Sequence, residues 1–591
     1  MPWGIISDRE EEEKQYLPDS VKVRKLLNHI LTFRKETIIV IITIVVTSAA
    51  GMIGPLLIGY ATNSIISRNF TSVLYLASAY IALYAAEYFA ENRRVFHITM
   101  LSQKVIKELR DRTFMTLQWV PLGFFSRNKT GRIISRVTND AEALSDFLTF
   151  QLPQVMAGIM AVIASIAIMA YLDPFLTLIS VAIIPVLLAV TLSLQKRMRR
   201  YFLETRRRIA AVTSNLSESI SGMKVIQSFT REDTARNRFD FLNRNNMNAN
   251  LKASRFSSLF GSSVQIIEAA GIAVVLYAGS VQAFSGAISI GLLVAFVAYV
   301  QGFFNPVVQL SQFYNSYQSS MVGLDRIYRL QDTGLDDQRH PGSDFWGIND
   351  KIEFRNVSFS FGNAEVIHDV SFRIGRGQKV ALVGPTGAGK STLSNLLLRF
   401  YKPSSGDILI DGKDVFESDI ESYRNSVTAV IQDPFLFRSS VLENIRFSSP
   451  EVSEDEIRKC IEDYGLSDVF DSLSNGLHTE VGERGTNISE GQRQAVSLVR
   501  AIIRQPEMII LDEATSQLDA ETEEKIQNAL ELAMKDKTVI IIAHRLSTLR
   551  ITDRIFFVDH GKIIEEGDLD ELTEKGGRFA SLYSDQFSVQ L

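Results

Sequence analysis

Eight consecutive residues, Gly384-Pro-Thr-Gly-Ala-Gly-Lys-Ser391, have the types and spacing of a phosphate cradle. They follow the apolar run VALV and precede the helical stretch STLSNLLLRF. In that setting a glycine-rich turn aims successive backbone N–H groups at phosphate oxygens in front of a helix N-terminus. Gly384, Pro385, Thr386, Gly387, Ala388 and Gly389 then form the cradle. Lys390 reaches the β- and γ-phosphates, the Ser391 hydroxyl ligates Mg2+, and Thr392 continues into the helix. A second apolar run, Met508-Ile-Ile-Leu511, ends in Asp512-Glu513. Asp512 is placed to hold Mg2+ through water and Glu513 to polarise an attacking water as general base. Acid pairs are common at strand ends, and a glycine turn arises by chance. The two motifs in this order are what triphosphate hydrolysis requires.

Such residues need a buried sheet to hold them, and only the second part of the chain can supply one. The first 330 or so of the 591 residues carry long charge-free stretches, so more than one domain is expected. Thirty-one residues between Glu36 and Arg68 carry no charge, and 56 positions separate Glu268 from Asp325 without one. About 20 apolar residues cross a bilayer as a helix, so the second gap must hold two crossings, broken at Ser285-Gly286. Six spans are predicted at about 37–60, 73–90, 152–171, 175–194, 257–279 and 289–309, the third and fourth divided by the turn Asp173-Pro174.

Lysine and arginine are distributed unevenly between the loops. Asn92 to Ser145 holds ten and Lys196 to Arg255 fourteen, whereas the alternate loops hold only Arg68. Both termini and the two long loops are therefore expected to be cytoplasmic, in an integral protein of the plasma (inner) membrane. VIKELRDRTFMTLQWV and LSESISGMKVIQSF mix apolar and charged residues at helical spacing, so the long loops read as membrane helices prolonged into the cytoplasm. Separate small soluble domains are the alternative, and neither loop shows strand alternation.

Residues 1–20 read as a cytoplasmic tail without a signal peptide, 21–330 as the transmembrane domain, 331–350 as an acidic, Pro- and Gly-containing linker, and 351–591 as the nucleotide-binding domain. A net charge of −5 argues against a nucleic-acid partner. The single cysteine, Cys460, excludes an intrachain disulfide and thiolate zinc sites, and reads as a half-buried small apolar residue.

Residues 352–570 resemble the ATP-binding-cassette ATPases in the order of their motifs. Gln432 in VIQDPFLF looks like the glutamine that senses Mg2+ and faces the membrane domain. Ile488-Ser-Glu-Gly-Gln492 occupies the place of the family signature, Ser516-Gln-Leu-Asp519 that of the D-loop, and His544 in IIAHR that of the switch histidine at the γ-phosphate. Thr479 to Gly485 matches a loop found in exporters. FFSRNKTGRIISRVTNDAEAL and SGMKVIQSFTRED look like the exporters' two coupling-helix loops. The resemblance implies a polytopic α-helical membrane domain of six spans followed by an α/β P-loop NTPase domain of the ABC type. It implies ATP and Mg2+ as cofactors, with Ser391, Gln432 and Asp512 on the metal and Glu513, His544 and Gln432 in catalysis. Two chains would meet head to tail, each ATP lying between one chain's phosphate loop and the other's Ser489, Gly491 and Gln492.

Three positions depart from the family pattern. Phe361 stands for a tyrosine that stacks on adenine, and a phenyl ring keeps the stacking face. Glu490 replaces the first signature glycine and Ala495 an arginine. A carboxylate beside a triphosphate is unfavourable, so the site completed by this signature is expected to bind ATP and hydrolyse it slowly. The expected unit is a heterodimer with one impaired site, in which an unaltered partner signature completes a competent second site. A homodimeric exporter and an ATP-gated channel or regulatory subunit are the alternatives, and the presence of Glu513 and His544 argues against the channel. The expected cargo is an amphiphile (a small molecule, lipid or peptide). Gln301, Asn305, Gln309 and Gln312 recur at helical spacing and, with Glu87 and Glu268, are the candidate cavity residues.

Overall fold

A charge-free stretch of backbone inside a bilayer must satisfy its own hydrogen bonds, which a helix does. In the computed structural model the first such stretch lies on the helix Arg34–Ile66. The structure describes residues 17–334, 342–362, 364–431, 434–482, 485–512, 520–543 and 546–587. The chain divides into two compact units, Met1–Gln118 with Thr130–Thr333, and Trp119–Lys129 with Gly334–Leu591.

The first unit is helical. Among its described residues five helical stretches are long and apolar enough to cross a membrane: Arg34–Ile66, Phe70–Trp119, Thr130–Leu172, Pro174–Leu194 and Glu232–Phe284. A shorter apolar helix, Ile290–Gly302, is followed by Phe304–Gln331. Large apolar side chains such as Ile38, Ile42, Leu74, Ile81, Ile163, Leu178, Leu192 and Ile266 stand exposed along these helices. Apolar residues all round a helix suit lipid as the surrounding medium.

Two interruptions share one cause. The segment from Pro174 breaks at Ala182 and the last apolar segment at Phe303. Pro185 and Pro306 follow three residues later, and neither has an N–H to give to the carbonyl four residues back, Val181 and Gly302. The sixth span, read from sequence as one run over 289–309, is thus two helical pieces.

Small residues let the helices touch. A Cβ added to Gly291 would lie 2.0 Å from the Gly59 carbonyl oxygen, so Arg34–Ile66 and Ile290–Gly302 meet backbone to backbone. Asn63 secures the crossing. Its Oδ1 accepts from the Gly291 N–H at 2.9 Å and its Nδ2 donates to Ser289 Oγ at 2.9 Å.

At the other end the helix Asp19–Thr32 begins within the expected tail, and residues 1–16 lie outside the described set. The Leu17 N–H donates to the buried Asp325 carboxylate at 3.0 Å, and Lys25 pairs with Asp332 at 3.1 Å. Leu26 joins a core with Val105, Leu109, Leu144, Leu324 and Tyr328.

The second unit is built on two sheets. β1 (Lys351–Phe361), β2 (Ala364–Gly375), β4 (Ser405–Ile410) and β5 (Lys413–Asp414) form an antiparallel sheet in the order β2-β1-β4-β5. β3 (Lys379–Val383), β6 (Val427–Val430), β7 (Met508–Asp512), β8 (Thr538–Ile542), β9 (Arg554–Asp559) and β10 (Lys562–Gly567) form the other, in the order β10-β9-β3-β8-β7-β6. β9, β3, β8, β7 and β6 are parallel. Their VALV, MIIL and VIII runs are buried, as expected of parallel strands covered on both faces. Cys460 packs half-buried against this core, and burial pushes its thiol up to about 11.

Candidate functional site

Sheet order converts sequence motifs into a site. β8 lies between β3 and β7, so the carboxyl ends of three strands distant in sequence stand side by side. β3 runs into Gly384, β7 ends in Asp512, and Asp512 pairs in register with Ile542 of β8, two residues before His544. β6, which leads toward Gln432, flanks β7. Ligands of open α/β sheets bind at such carboxyl edges. Gln432, Glu513 and His544 themselves, and the Ser516–Asp519 segment, lie outside the described residues.

The phosphate loop is shaped by close approach. Gly384 has φ +150°, and a Cβ there would lie 1.9 Å from the Val558 carbonyl oxygen of β9. Gly389, at φ +108°, precedes the helix Lys390–Leu397 and presses on Ile367 of β2. The Gly561 N–H donates to the Ala388 carbonyl at 3.0 Å, tying the loop to the β9–β10 turn. Pro385, Thr386 and Gly387 are exposed, while Gly384, Ala388, Gly389 and Lys390 are buried. Lys390 Nζ donates to the carbonyls of Gly384 at 2.7 Å and Pro385 at 3.0 Å. The ammonium is thereby held over its own loop, in reach of a phosphate. Ser391 is exposed at the start of the helix, Thr392 is buried behind it, and Asp512 is half-buried.

Phe361 ends β1 with 44% exposure, its ring perpendicular to those of Tyr401 and Phe359, with centroids 5.3 and 4.8 Å away. Two rings brace it and leave a face for stacking. Tyr401 was not among the sequence candidates. It also lines the approach to Gly123, where a Cβ would lie 3.4 Å from its ring, within the short helix Leu122–Arg127 that groups with this unit.

The signature residues form a capped helix start. Ser489 is the N-cap of Glu490–Ile502: its hydroxyl accepts from the Gln492 N–H, and the Gln492 side chain accepts from the Ser489 N–H at 2.9 Å. Gln492 Nε2 donates to Ser472 Oγ at 2.9 Å. Ser489 is exposed and Gly491 buried. Ala495 is fully buried, so it fills core rather than facing a ligand. Glu490 is ion-paired with Arg493, whose other nitrogen donates to the Gly485 carbonyl at 3.1 Å. Sequence reasoning missed Arg493, although an Arg three residues after a helical Glu signals that pair. In the exporter-like loop, the Gly482 N–H donates to Asn487 Oδ1, while Glu483 and Arg484 lie outside the described residues.

The candidate cavity residues do not share one helix. Gln301 lies on Ile290–Gly302, while Asn305, Gln309 and Gln312 lie on Phe304–Gln331 beyond the break. Gln301 and Gln312 are exposed, Gln309 rests beside Gly158, and Glu87 and Glu268 are half-buried. The Asn305 side chain is outside the described set.

A strand–phosphate loop–helix ATPase behind a set of apolar helices defines a class of membrane transport ATPase. Residues 37–307 match the ABC transporter transmembrane region, and residues 367–516 match the ABC transporter family. The chain is 35% identical over 572 residues to the uncharacterized ABC transporter ATP-binding protein YknV of Bacillus subtilis (strain 168), covering 96% of this chain and 95% of that one. It is 32% identical over 523 residues to the ATP-dependent lipid A-core flippase of Syntrophus aciditrophicus (strain SB), covering 88% and 87%. Among solved structures, a bacterial Atm1-family ABC exporter with ATP bound superposes with a TM-score of 0.76 at 26% identity, covering 94% of this chain and 98% of that one. The chain belongs to the ABC transporter family. It is an integral membrane protein whose ATP-binding domain is an ATPase coupled to transmembrane transport.

Proposed function

We propose that this chain is one half of an exporter that moves an amphiphilic substrate out of the cytoplasm or inner leaflet by alternating access. Its partner in this reading is a second, different half-transporter in the plasma membrane, with all termini cytoplasmic. The likeness to an exporter structure and to a lipid A-core flippase supports the direction and the cargo class. ATP that binds the closed dimer more tightly than the open one shifts the population toward closure, and hydrolysis resets it. Ser391 and Asp512, with Gln432, would hold Mg2+. Among the described residues no group of three or more His, Cys, Asp or Glu could hold a metal alone. That fits an ion that shares its shell with phosphates, whose charge it offsets.

The observation that carries the heterodimer is Glu490 at the first turn of a capped helix. A helix N-terminus favours anions, and a carboxylate there competes with the triphosphate for the same N–H groups. Arg493 neutralises Glu490 and draws it back along the helix, so bare repulsion is relieved. The side chain and its ion pair still occupy the approach that a glycine leaves open. Binding survives in this site and turnover suffers. The purified chain alone is therefore expected to hydrolyse ATP slowly, and Glu490→Gly to raise its rate at least about fivefold, roughly 1 kcal/mol of barrier. Robust ATPase activity and transport from the unaltered homodimer would refute the heterodimer.

The candidate cavity gives a second expected result. Polar side chains at membrane depth face the bundle interior or water. In a Cys460→Ala background, cysteines at Gln301, Gln309 and Gln312 should react with aqueous maleimide in the nucleotide-free state and be protected on ATP trapping. Uniform protection in both states would remove these residues from the cavity and leave them as interhelical hydrogen bonds.

A further inference from the structure

Several cations on the helical extensions of the first unit are held by acids. Lys104 pairs with Glu36, Arg94 with Glu91, Arg112 with Glu108, Arg329 with Asp325, Arg208 with Glu204 and Arg244 with Asp240. Arg197, Arg200 and Arg255 are different. All three are exposed, and none has an ion-pair partner among the described residues. The sequence holds no Asp or Glu from 174 to 203 or from 241 to 267. The acids that bound these windows, Glu204 and Asp240, are taken by Arg208 and Arg244. Glu268 lies 13 residues beyond Arg255, about 20 Å along the helix.

Ring stacking places the two helices that carry these arginines side by side. Tyr201 lies on Phe256 with centroids 4.3 Å apart and planes at 20°. That contact sets the register between the helices Ile183–Ser221 and Glu232–Phe284. Arg200 and Arg255 immediately precede the two rings, and Lys196 and Arg199 add charge to the same run of sequence. The apolar stretch Pro174–Leu194 ends three residues before Arg197 and six before Arg200. At about 1.5 Å per residue they lie roughly 4.5 and 9 Å past its end. The headgroup layer is about 5–8 Å deep on each side. Helical side chains lean toward their N-terminus, which for Arg197 and Arg200 means back toward the apolar stretch, while Arg255 lies two residues before the span expected at 257–279.

We propose that Arg197, Arg200 and Arg255 form a binding site for the phosphate of an anionic phospholipid. Guanidinium forks match phosphate oxygens bidentately, and three of them without a carboxylate leave a net charge that one phosphodiester offsets only in part. A surplus of cations on one side of the membrane is general. What marks this site is that two acid-free helical stretches meet at a ring contact just past the end of the apolar run, so no carboxylate within either stretch competes for these cations. Lipid bound here would brace the two helices where they leave the bilayer.

The test uses the full chain in uncharged detergent, offered equal amounts of phosphatidylglycerol and phosphatidylcholine, with retained lipid counted by native mass spectrometry. Wild type should retain phosphatidylglycerol at least about tenfold over phosphatidylcholine, since each cation near the surface contributes roughly a factor of five. The variant R197Q/R200Q/R255Q should lose that preference to below about twofold. R206Q/R207Q, exposed further along the same helix, should keep it. If the triple variant does not purify, R200Q alone should lower the preference at least about threefold. Equal retention of the two lipids by wild type, an undiminished preference in the glutamine variants, or an equal loss in R206Q/R207Q would overturn the site. Displacement of the lipid by millimolar glycerol 3-phosphate would overturn the lipid assignment in favour of a free phosphate ligand.

Discussion

Glu513→Gln is expected to bind ATP with nearly unchanged affinity and to hydrolyse it at least a hundredfold more slowly in the assembled complex. General-base assistance is worth about 10²–10⁴ in rate, or roughly 3–5 kcal/mol of barrier. The amide keeps the shape of the carboxylate and loses its ability to take a proton from water. The reason to assign that role to Glu513 is position. Asp512 closes β7 at the carboxyl edge of the sheet, one strand removed from β3 and the phosphate loop. Asp512, the residue before Glu513, thus stands at the phosphate side, with Ile542 of β8 beside it in register. Binding is measured with a fluorescent ATP analogue and turnover by phosphate release. Near wild-type turnover would sink the assignment, and loss of binding as well would show that Glu513 holds the loop together instead.

Gly291→Val is expected to be the most damaging single change in the membrane unit. At Gly291 a Cβ falls 2.0 Å from the Gly59 carbonyl oxygen and 2.6 Å from Asn63 Oδ1. Both neighbours are fixed, one as backbone and the other by its hydrogen bonds to Gly291 and Ser289. The helices must separate by more than an ångström, which breaks those bonds and opens the packing around Ala295. Overpacking in a core typically costs about 1–3 kcal/mol, and a clash with fixed backbone and a hydrogen-bonded side chain should reach at least the top of that range. Gly51, on the same helix as Gly59, has nothing within 4 Å of an added Cβ. Gly51→Ala should be neutral or stabilising by up to about 1 kcal/mol through helix propensity. Thermal unfolding in detergent separates the two. Equal midpoints for Gly291→Val and wild type would mean that the helices do not cross as described.

Much of this protein was legible without coordinates because the signals are local. A bilayer excludes charge over a fixed thickness, so charge-free gaps reported membrane helices directly. A phosphate loop needs glycine where φ is positive and a lysine at a fixed offset, and Gly384, Gly387 and Gly389 all have positive φ. Runs such as VALV and MIIL announced buried strands. The helical interruptions were partly legible too: Pro185 and Pro306 were visible, but whether a proline bends or breaks its helix depends on what neighbouring helices offer the freed carbonyl.

What the sequence by itself determined, then, is the order of elements, their medium and the chemistry of the phosphate loop, because each is set by residues within a few positions of one another. Only the tertiary structure decided which strands neighbour which. Strand order β3-β8-β7 joins β3 to segments more than 120 residues away, and a continuous apolar run reads the same in any order. It also decided that Tyr401 packs on Phe361, that Gly59 and Gly291 face each other, and that Tyr201 stacks on Phe256 where two acid-free helical stretches meet. These are questions of side-chain direction and long-range register. A pattern of residue types can constrain such relations but not choose among them, because the free energy that selects one belongs to contacts that exist only after the chain has closed on itself.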